Sequence, residues 1–175
     1  MANIDWYVVR TLSGKEDEVS IFFKKVFSEF EIVYPKRRVG WRKNGRVISI
    51  IRPLFEGYIF VSTNKIEALD YLLHKNTIKF AWLIRCDRSL LPIYPEEKQL
   101  IQQLIGIEGV VDLSEVQMAD GKIEAIKGPL VGLEHVIKNV SEKNHRIIIE
   151  IPVLGEKKKV ELEGYMNRDY SKPPY

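Results

Sequence analysis

The change in hydrophobic period near residue 106 constrains this chain more than any other feature. Before it, strand-like runs alternate with helical ones. After it, only strand-like segments occur and no helical pattern appears. Two such patterns read as two packing units, and 175 residues are enough for both.

In the first half, Asp5–Thr11 is aromatic and β-branched and reads as a buried strand. Ser13-Gly-Lys-Glu16 has the Ser-x-x-Glu form of a capping box. Val19, Phe22, Phe23, Val26, Phe27 and Phe30 then fall on one face of a helix predicted over 15–29, with Glu16, Glu18, Lys24 and Lys25 on its polar side. Glu31–Arg38 reads as a strand. Lys43-Asn-Gly45 signals a hairpin turn between the runs 37–42 and 46–51. Tyr58–Val61 and Ile78–Ile84 read as further strands, separated by a helix that Asn64 can cap. A last helix at 95–105 stops at Gly106. The order β-α-β-β-β-α-β, then helix, predicts a ferredoxin-like split βαβ sandwich with an added hairpin.

Gly106, Gly109 and Gly121, with polar residues between them, predict a linker. We place it at 109–118, between units 1–108 and 119–175. In the second unit, 122–127, 134–140, 146–153 and 158–163 read as strands, which predicts a small all-β barrel. Gly106-Ile-Glu-Gly109 has the form of a KH-domain loop but lacks the surrounding helices, so it reads as linker.

Charge and cysteine exclude several classes. The net charge is +3, from 27 basic and 24 acidic residues, so any nucleic-acid contact must be local. A single cysteine, Cys86, excludes an internal disulfide and reads as a small apolar residue. The three histidines are scattered, and neither a metal nor another cofactor is expected. No phosphate loop, dinucleotide fingerprint or hydrolase elbow is present, so no enzyme is expected. An acylphosphatase-like activity would need a glycine-rich, arginine-bearing loop after the first strand. Leu12-Ser-Gly-Lys15 offers one glycine and a lysine. No apolar run reaches membrane-span length, and a cytoplasmic location is the expectation.

The order of motifs resembles the NusG/Spt5 family of transcription elongation factors. Trp6-Tyr-Val-Val-x-x-x-Ser-Gly-x-Glu16 is similar to the family's opening. Leu54-Phe-Glu-Gly-Tyr-Ile-Phe-Val61 is similar to its Phe-Pro-Gly-Tyr-x-x-Val strand, and Ile126-Lys-Gly-Pro-Leu130 to a KOW motif in an SH3-like barrel. Glu56 stands in place of the family's proline, and His135 in place of a second KOW glycine. These departures suggest a specialised antitermination paralog of the LoaP kind. The alternatives are a housekeeping elongation factor and a ribosome- or RNA-associated KOW protein.

The resemblance implies an amino-terminal domain that grips the clamp of bacterial RNA polymerase, and a tethered KOW domain that recruits a partner. The implied polymerase contacts are Trp6, Tyr7, Arg10, Phe55 and Tyr58. Each aromatic also reads as sheet core, although neighbours such as Trp6 and Tyr7 must face opposite sides of a strand. Lys75, Asn76 and Thr77 are implied contacts to the non-template DNA strand. They also read as a helix stop. The basic run Pro35–Arg38 with Arg42, Lys43 and Arg46 reads either as a soluble ribbon or as a finger toward DNA. In the tail, Lys127, His135, Lys143, Arg146, Lys157, Lys158 and Lys159 are candidates for structured leader RNA. Leu154 is the candidate contact for a ribosomal protein or Rho. The protein is expected to act as a monomer.

Overall fold

A computed structural model describes residues 4–43, 46–75 and 80–167, with 41–43, 46 and 47 given by their backbone. The first unit runs β1 (Trp6–Thr11), α1 (Glu16–Val26), β2 (Glu31–Val33), β3 (Lys36–Lys43), β4 (Arg46–Pro53), β5 (Tyr58–Ser62), α2 (Ile66–Lys75), β6 (Ala81–Leu83) and α3 (Pro95–Ile105). Its main sheet has the order β2-β5-β1-β6, with every pairing antiparallel. This is the expected split βαβ arrangement. β3 and β4 form the added hairpin, paired from Lys36↔Pro53 to Lys43↔Arg46. Its expected Asn44-Gly45 turn lies outside the described residues.

The period-2 geometry of a strand assigns each side chain in the sheet to one of two faces. Val9, Ile59 and Val61 point toward α1 and α2, where they pack with Phe23, Phe27, Leu69 and Leu73. Trp6, Val8, Tyr58 and Phe60 point to the other face, where Ile101, Leu104 and Ile105 of α3 and residues of the second unit complete a second core. That second unit is all β: β7 (Val110–Val111), β8 (Ser114–Ala119), β9 (Lys122–Lys127), β10 (Ile137–Ser141), β11 (Arg146–Val153) and β12 (Glu156–Met166). Five of its strands are ordered β10-β11-β12-β8-β9 around Val116, Leu130, Ile147, Ile149, Ile151 and Leu162.

Four local expectations change. The capping box does not form: Lys15 is the residue at the start of α1 and makes no side-chain cap. Glu16 is instead buried and accepts hydrogen bonds from the backbone N–H groups of Gly14 at 2.8 Å and Gly57 at 2.7 Å. α1 ends at Val26 rather than 29, and Phe27 and Phe30 turn inward beyond it. Residues 134–136 form a 3-10 turn before β10, where a continuous strand was expected. The segment 109–118 is not a free linker. Val110–Val111 pairs in parallel with Lys36–Arg37, and Ser114–Ala119 lies between β12 and β9. Small and polar residues there resembled a linker because Val110–Val111 draws its partner from distant β3, and Ser114–Ala119 is completed by distant β12 as well as by its hairpin neighbour β9.

Because β8 joins β9 to the rest of its sheet, the boundary of the second unit matters. A fragment 112–175 should give dispersed amide resonances. A fragment 119–175, cut at the last residue of β8, should lose the tertiary fold around Ala125, as amide chemical-shift dispersion would reveal.

Candidate functional site

The turn between β4 and β5 presents Phe55, and backbone constraints fix its shape. Gly57 has φ +76°, a left-handed conformation that favours glycine. A Cβ there would also lie 2.9 Å from the carbonyl oxygen of Thr11. Gly57 donates to the buried carboxylate of Glu16, and its carbonyl accepts from Thr11 N–H at 2.9 Å. Leu54 N–H donates to Pro35 O at 2.9 Å. The turn is thus held by α1, β1 and the start of the hairpin. It directs Phe55 against Phe60 in an edge-on contact, and Trp6 also packs against Phe60.

Trp6, Phe55 and Tyr58 therefore share one face, but none of it is open. Trp6 and Phe55 are each only 5% exposed, because α3 and the β-barrel cover them. Tyr7 does not join them; alternation turns it toward the helices, where it packs beside the α1–α2 cluster. Desolvation raises its phenol pKa, and the carboxylates of Asp5 and Glu67 add to the effect. Arg10 lies at the rim of the aromatic face and donates from Nη1 to the Tyr58 hydroxyl at 2.7 Å. Lys158 of the barrel also lies over the Tyr58 ring, 5.1 Å from its centroid.

The seam between the units is tied by a second buried carboxylate. Glu97, in the first turn of α3, is 2% exposed. Its oxygens accept from Tyr94 N–H at 3.1 Å, Leu154 N–H at 2.9 Å and Gly155 N–H at 2.8 Å. Two of those donors belong to the tight turn between β11 and β12, where Leu154 and Gly155 both have positive φ. Further along, Arg37 Nη1 donates to the carbonyl of Glu161 and Arg146 Nη2 to that of Gly40 at 3.2 Å. Burial lowers the pKa of the Arg37 guanidinium, while Glu161 and Glu56 oppose that shift. Glu56 lines a cleft with Arg37, Phe55 and Lys157–Lys159, and His135 lines a groove with Gln99, Leu100 and Gln103 of α3. Both departures from the family pattern thus lie at the seam.

The candidate tail residues do not form one surface. Lys143 and Arg146 flank the turn before β11, while Leu154 and Lys157 flank the turn after it. Eight residues of strand separate them, about 25 Å at ~3.3 Å per residue. Lys127 ends β9, and His135 is exposed on the 3-10 turn. The lysine run is also split by strand alternation. Lys158 turns toward Tyr58 and pairs with Glu156 at 2.7 Å, which raises the lysine pKa and lowers that of the exposed glutamate. Lys157 pairs with Glu150 at 3.4 Å, and Lys159 stands opposite the same glutamate. Leu154 is half-buried against the seam. Lys75 ends α2, exposed, with its ammonium 5.9 Å from the Tyr71 ring centroid; Asn76 and Thr77 lie outside the described residues. Sequence reasoning missed Glu16 and Glu97 because each reads as an ordinary solvent-facing acid in a helix's first turn.

Among the described residues, no helix is long and apolar enough to cross a membrane, and no cluster of three or more potential metal ligands occurs. Residues 4–127 match the family model described as "Transcription termination factor nusG". The chain belongs to the NusG family. It is 19% identical to the transcription termination/antitermination protein NusG of Thermus thermophilus, over 92% of this chain and 96% of that one. It is 24% identical to the NusG of Staphylococcus aureus, over 90% and 91%. A solved structure titled "Domain interaction in Thermotoga maritima NusG" matches with a TM-score of 0.55 and 24% identity, over 91% of this chain and 93% of that one.

Glu97→Ala should loosen the seam. Leu154 and Gly155 N–H would lose their acceptor in a largely dry contact, a cost of about 2–4 kcal/mol. Hydrogen exchange should show those two amides losing protection while Ile149 in the barrel core keeps its own.

Proposed function

We propose that this protein is a transcription elongation and processive antitermination factor that acts by binding, without chemistry of its own. The aromatic face of Trp6, Phe55 and Tyr58, rimmed by Arg10, docks on the clamp of bacterial RNA polymerase. The KOW barrel then recruits an RNA or protein partner. The observation that carries this reading is the build of that face: the buried Glu16 carboxylate and the Gly57 backbone hold Phe55 edge-on against Phe60 in an aromatic cluster.

In the structure this surface is covered by the chain's own barrel, so polymerase binding requires the barrel to undock. The same event frees Leu154 from the Glu97 seam, which makes it available to a ribosomal protein or Rho. Internal pairing of Lys157 and Lys158 leaves little net charge for a leader RNA, so RNA binding through the tail would depend on hairpin shape. The location of Glu56 and His135 at the seam supports a specialised paralog rather than a housekeeping factor. Clamp closure is an equilibrium, and the factor shifts it only by binding the closed clamp better than the open one.

Affinity for purified polymerase tests this reading. If only the undocked fraction binds, Glu97→Ala in the full chain should tighten binding on the order of tenfold or more. Phe55→Ala added to that variant should weaken it by about 1–3 kcal/mol, as loss of an interface anchor does. A folded double variant with undiminished affinity would remove Phe55 from the interface. The same proteins in a run-through assay on an intrinsic terminator should rank in the order of their affinities.

A further inference from the structure

A cleft opens between β6, at the edge of the main sheet, and the barrel turn that joins β11 to β12. Its volume is about 450 Å³, within the range of small-molecule sites.

One row of side chains across three strands lines the cleft. Arg10 of β1 stands opposite Tyr58 of β5 on one side and Trp82 of β6 on the other. Directly opposed residues on antiparallel strands project to the same side of the sheet, here the side that faces the barrel. Trp82 is 47% exposed, so much of its indole is open to another ring. Leu154 and Lys158 line the cleft from the barrel, with the Lys158 ammonium 5.1 Å from the Tyr58 ring centroid.

The Tyr58 end carries two cations. Arg10 donates from Nη1 to the Tyr58 hydroxyl, and a guanidinium has five N–H groups, so donors remain for another acceptor. Arg85 adds a third cation, whose charge Asp70 offsets at 2.6 Å. Lys158 meets Glu156 at 2.7 Å, although the side chain of Glu156 is 74% exposed. Lys158 lowers the pKa of this carboxylate, and Arg10 adds to the effect. An exposed turn glutamate beside two cations is an internal anion that a stronger one can replace. A phosphate is such an anion, with more charge and three acceptor oxygens. The indole suits the rest of the same ligand, because a nucleobase stacks well on an aromatic face.

We propose that this cleft binds a free nucleoside diphosphate, its base stacked on Trp82 and its phosphates displacing Glu156 from Lys158 and Arg10. The walls come from both units, so the ligand binds the docked chain and stabilises it by mass action. The site goes beyond the clamp reading and does not depend on it, since binding is measured without polymerase.

The test is calorimetric titration of the full chain with GDP, guanosine and inorganic pyrophosphate. GDP should bind at least about tenfold tighter than either fragment, because each fragment fills only one half of the site. Trp82→Leu should weaken GDP by about 5–100-fold through lost stacking. Lys158→Gln should weaken it about tenfold. Glu156→Gln removes the internal competitor and should tighten GDP by about 2–5-fold, a gain that misfolding cannot produce. Bound GDP should also slow hydrogen exchange at the Leu154 and Gly155 amides. Several outcomes would overturn the proposal: no binding at millimolar GDP, guanosine or pyrophosphate binding as tightly as GDP, or unchanged affinity in Trp82→Leu. So would unchanged or weaker binding in Glu156→Gln, or GDP binding that leaves those two amides unaffected. A single-stranded RNA that binds the cleft more tightly than GDP would overturn the assignment to a free nucleotide.

Discussion

The relation between the two units depends on one buried carboxylate. Glu97 brings a negative charge into a nearly dry seam, where an unpartnered charge would be strongly disfavoured. It is tolerated because three backbone N–H groups meet it, two of them from the barrel turn at Leu154 and Gly155. That turn must adopt positive φ at two successive residues to aim both groups at one side chain. Apolar contact across the seam supplies area without direction. The carboxylate supplies direction, since two N–H groups of one barrel turn must both point at it.

Glu16 does the same work inside the first unit. It joins the start of α1 to the turn that carries Phe55, so the aromatic is set by the helix as well as by its own strand. The two glutamates stand at equivalent places, the first turns of helices that flank opposite faces of one sheet. Together they place the aromatic cluster and then the lid over it. The lid uses the cluster as its own packing surface: Tyr58 meets Lys158, and Phe55, Phe60 and Trp6 enter the core shared with α3 and the barrel. The aromatic face proposed to dock on the polymerase is therefore packed internally in this structure.

The tail candidates are scattered over several faces of the barrel. A single basic patch on the barrel would persist whether the units were docked or apart. Instead Lys158 and Leu154 belong to the seam, Lys157 and Lys159 to the opposite face beside Glu150, and Arg146 to the hairpin. Strand alternation alone forces the split of Lys157–Lys159. Consecutive lysines on a strand cannot share a face, however basic the run looks when written in a line.

Much of the fold was legible in the sequence because its signals are local. The Phe and Val spacing of α1, the stop at Gly106, the Asn-Gly signal between β3 and β4, and the alternation of β11 each depend on near neighbours. They gave the split βαβ order and the all-β tail. Alternation also required Trp6 and Tyr7 to part. What it could not reveal was which face each would take and what would cover it, because a face is closed by elements far along the chain. Glu97 meets Leu154 and Gly155 across 57 and 58 residues, and Glu16 meets Gly57 across 41. The short strand at 110–111 pairs with distant β3, and the strand at 114–119 pairs with distant β12 on the side away from its hairpin neighbour β9. The sequence by itself determined the elements and their amphipathic faces, through periodicity and turn chemistry. Only the tertiary structure decided that two ordinary-looking glutamates are buried and that the aromatic face is closed by the chain's own barrel, because hydrogen-bond partners and shielding from water are properties of position in space.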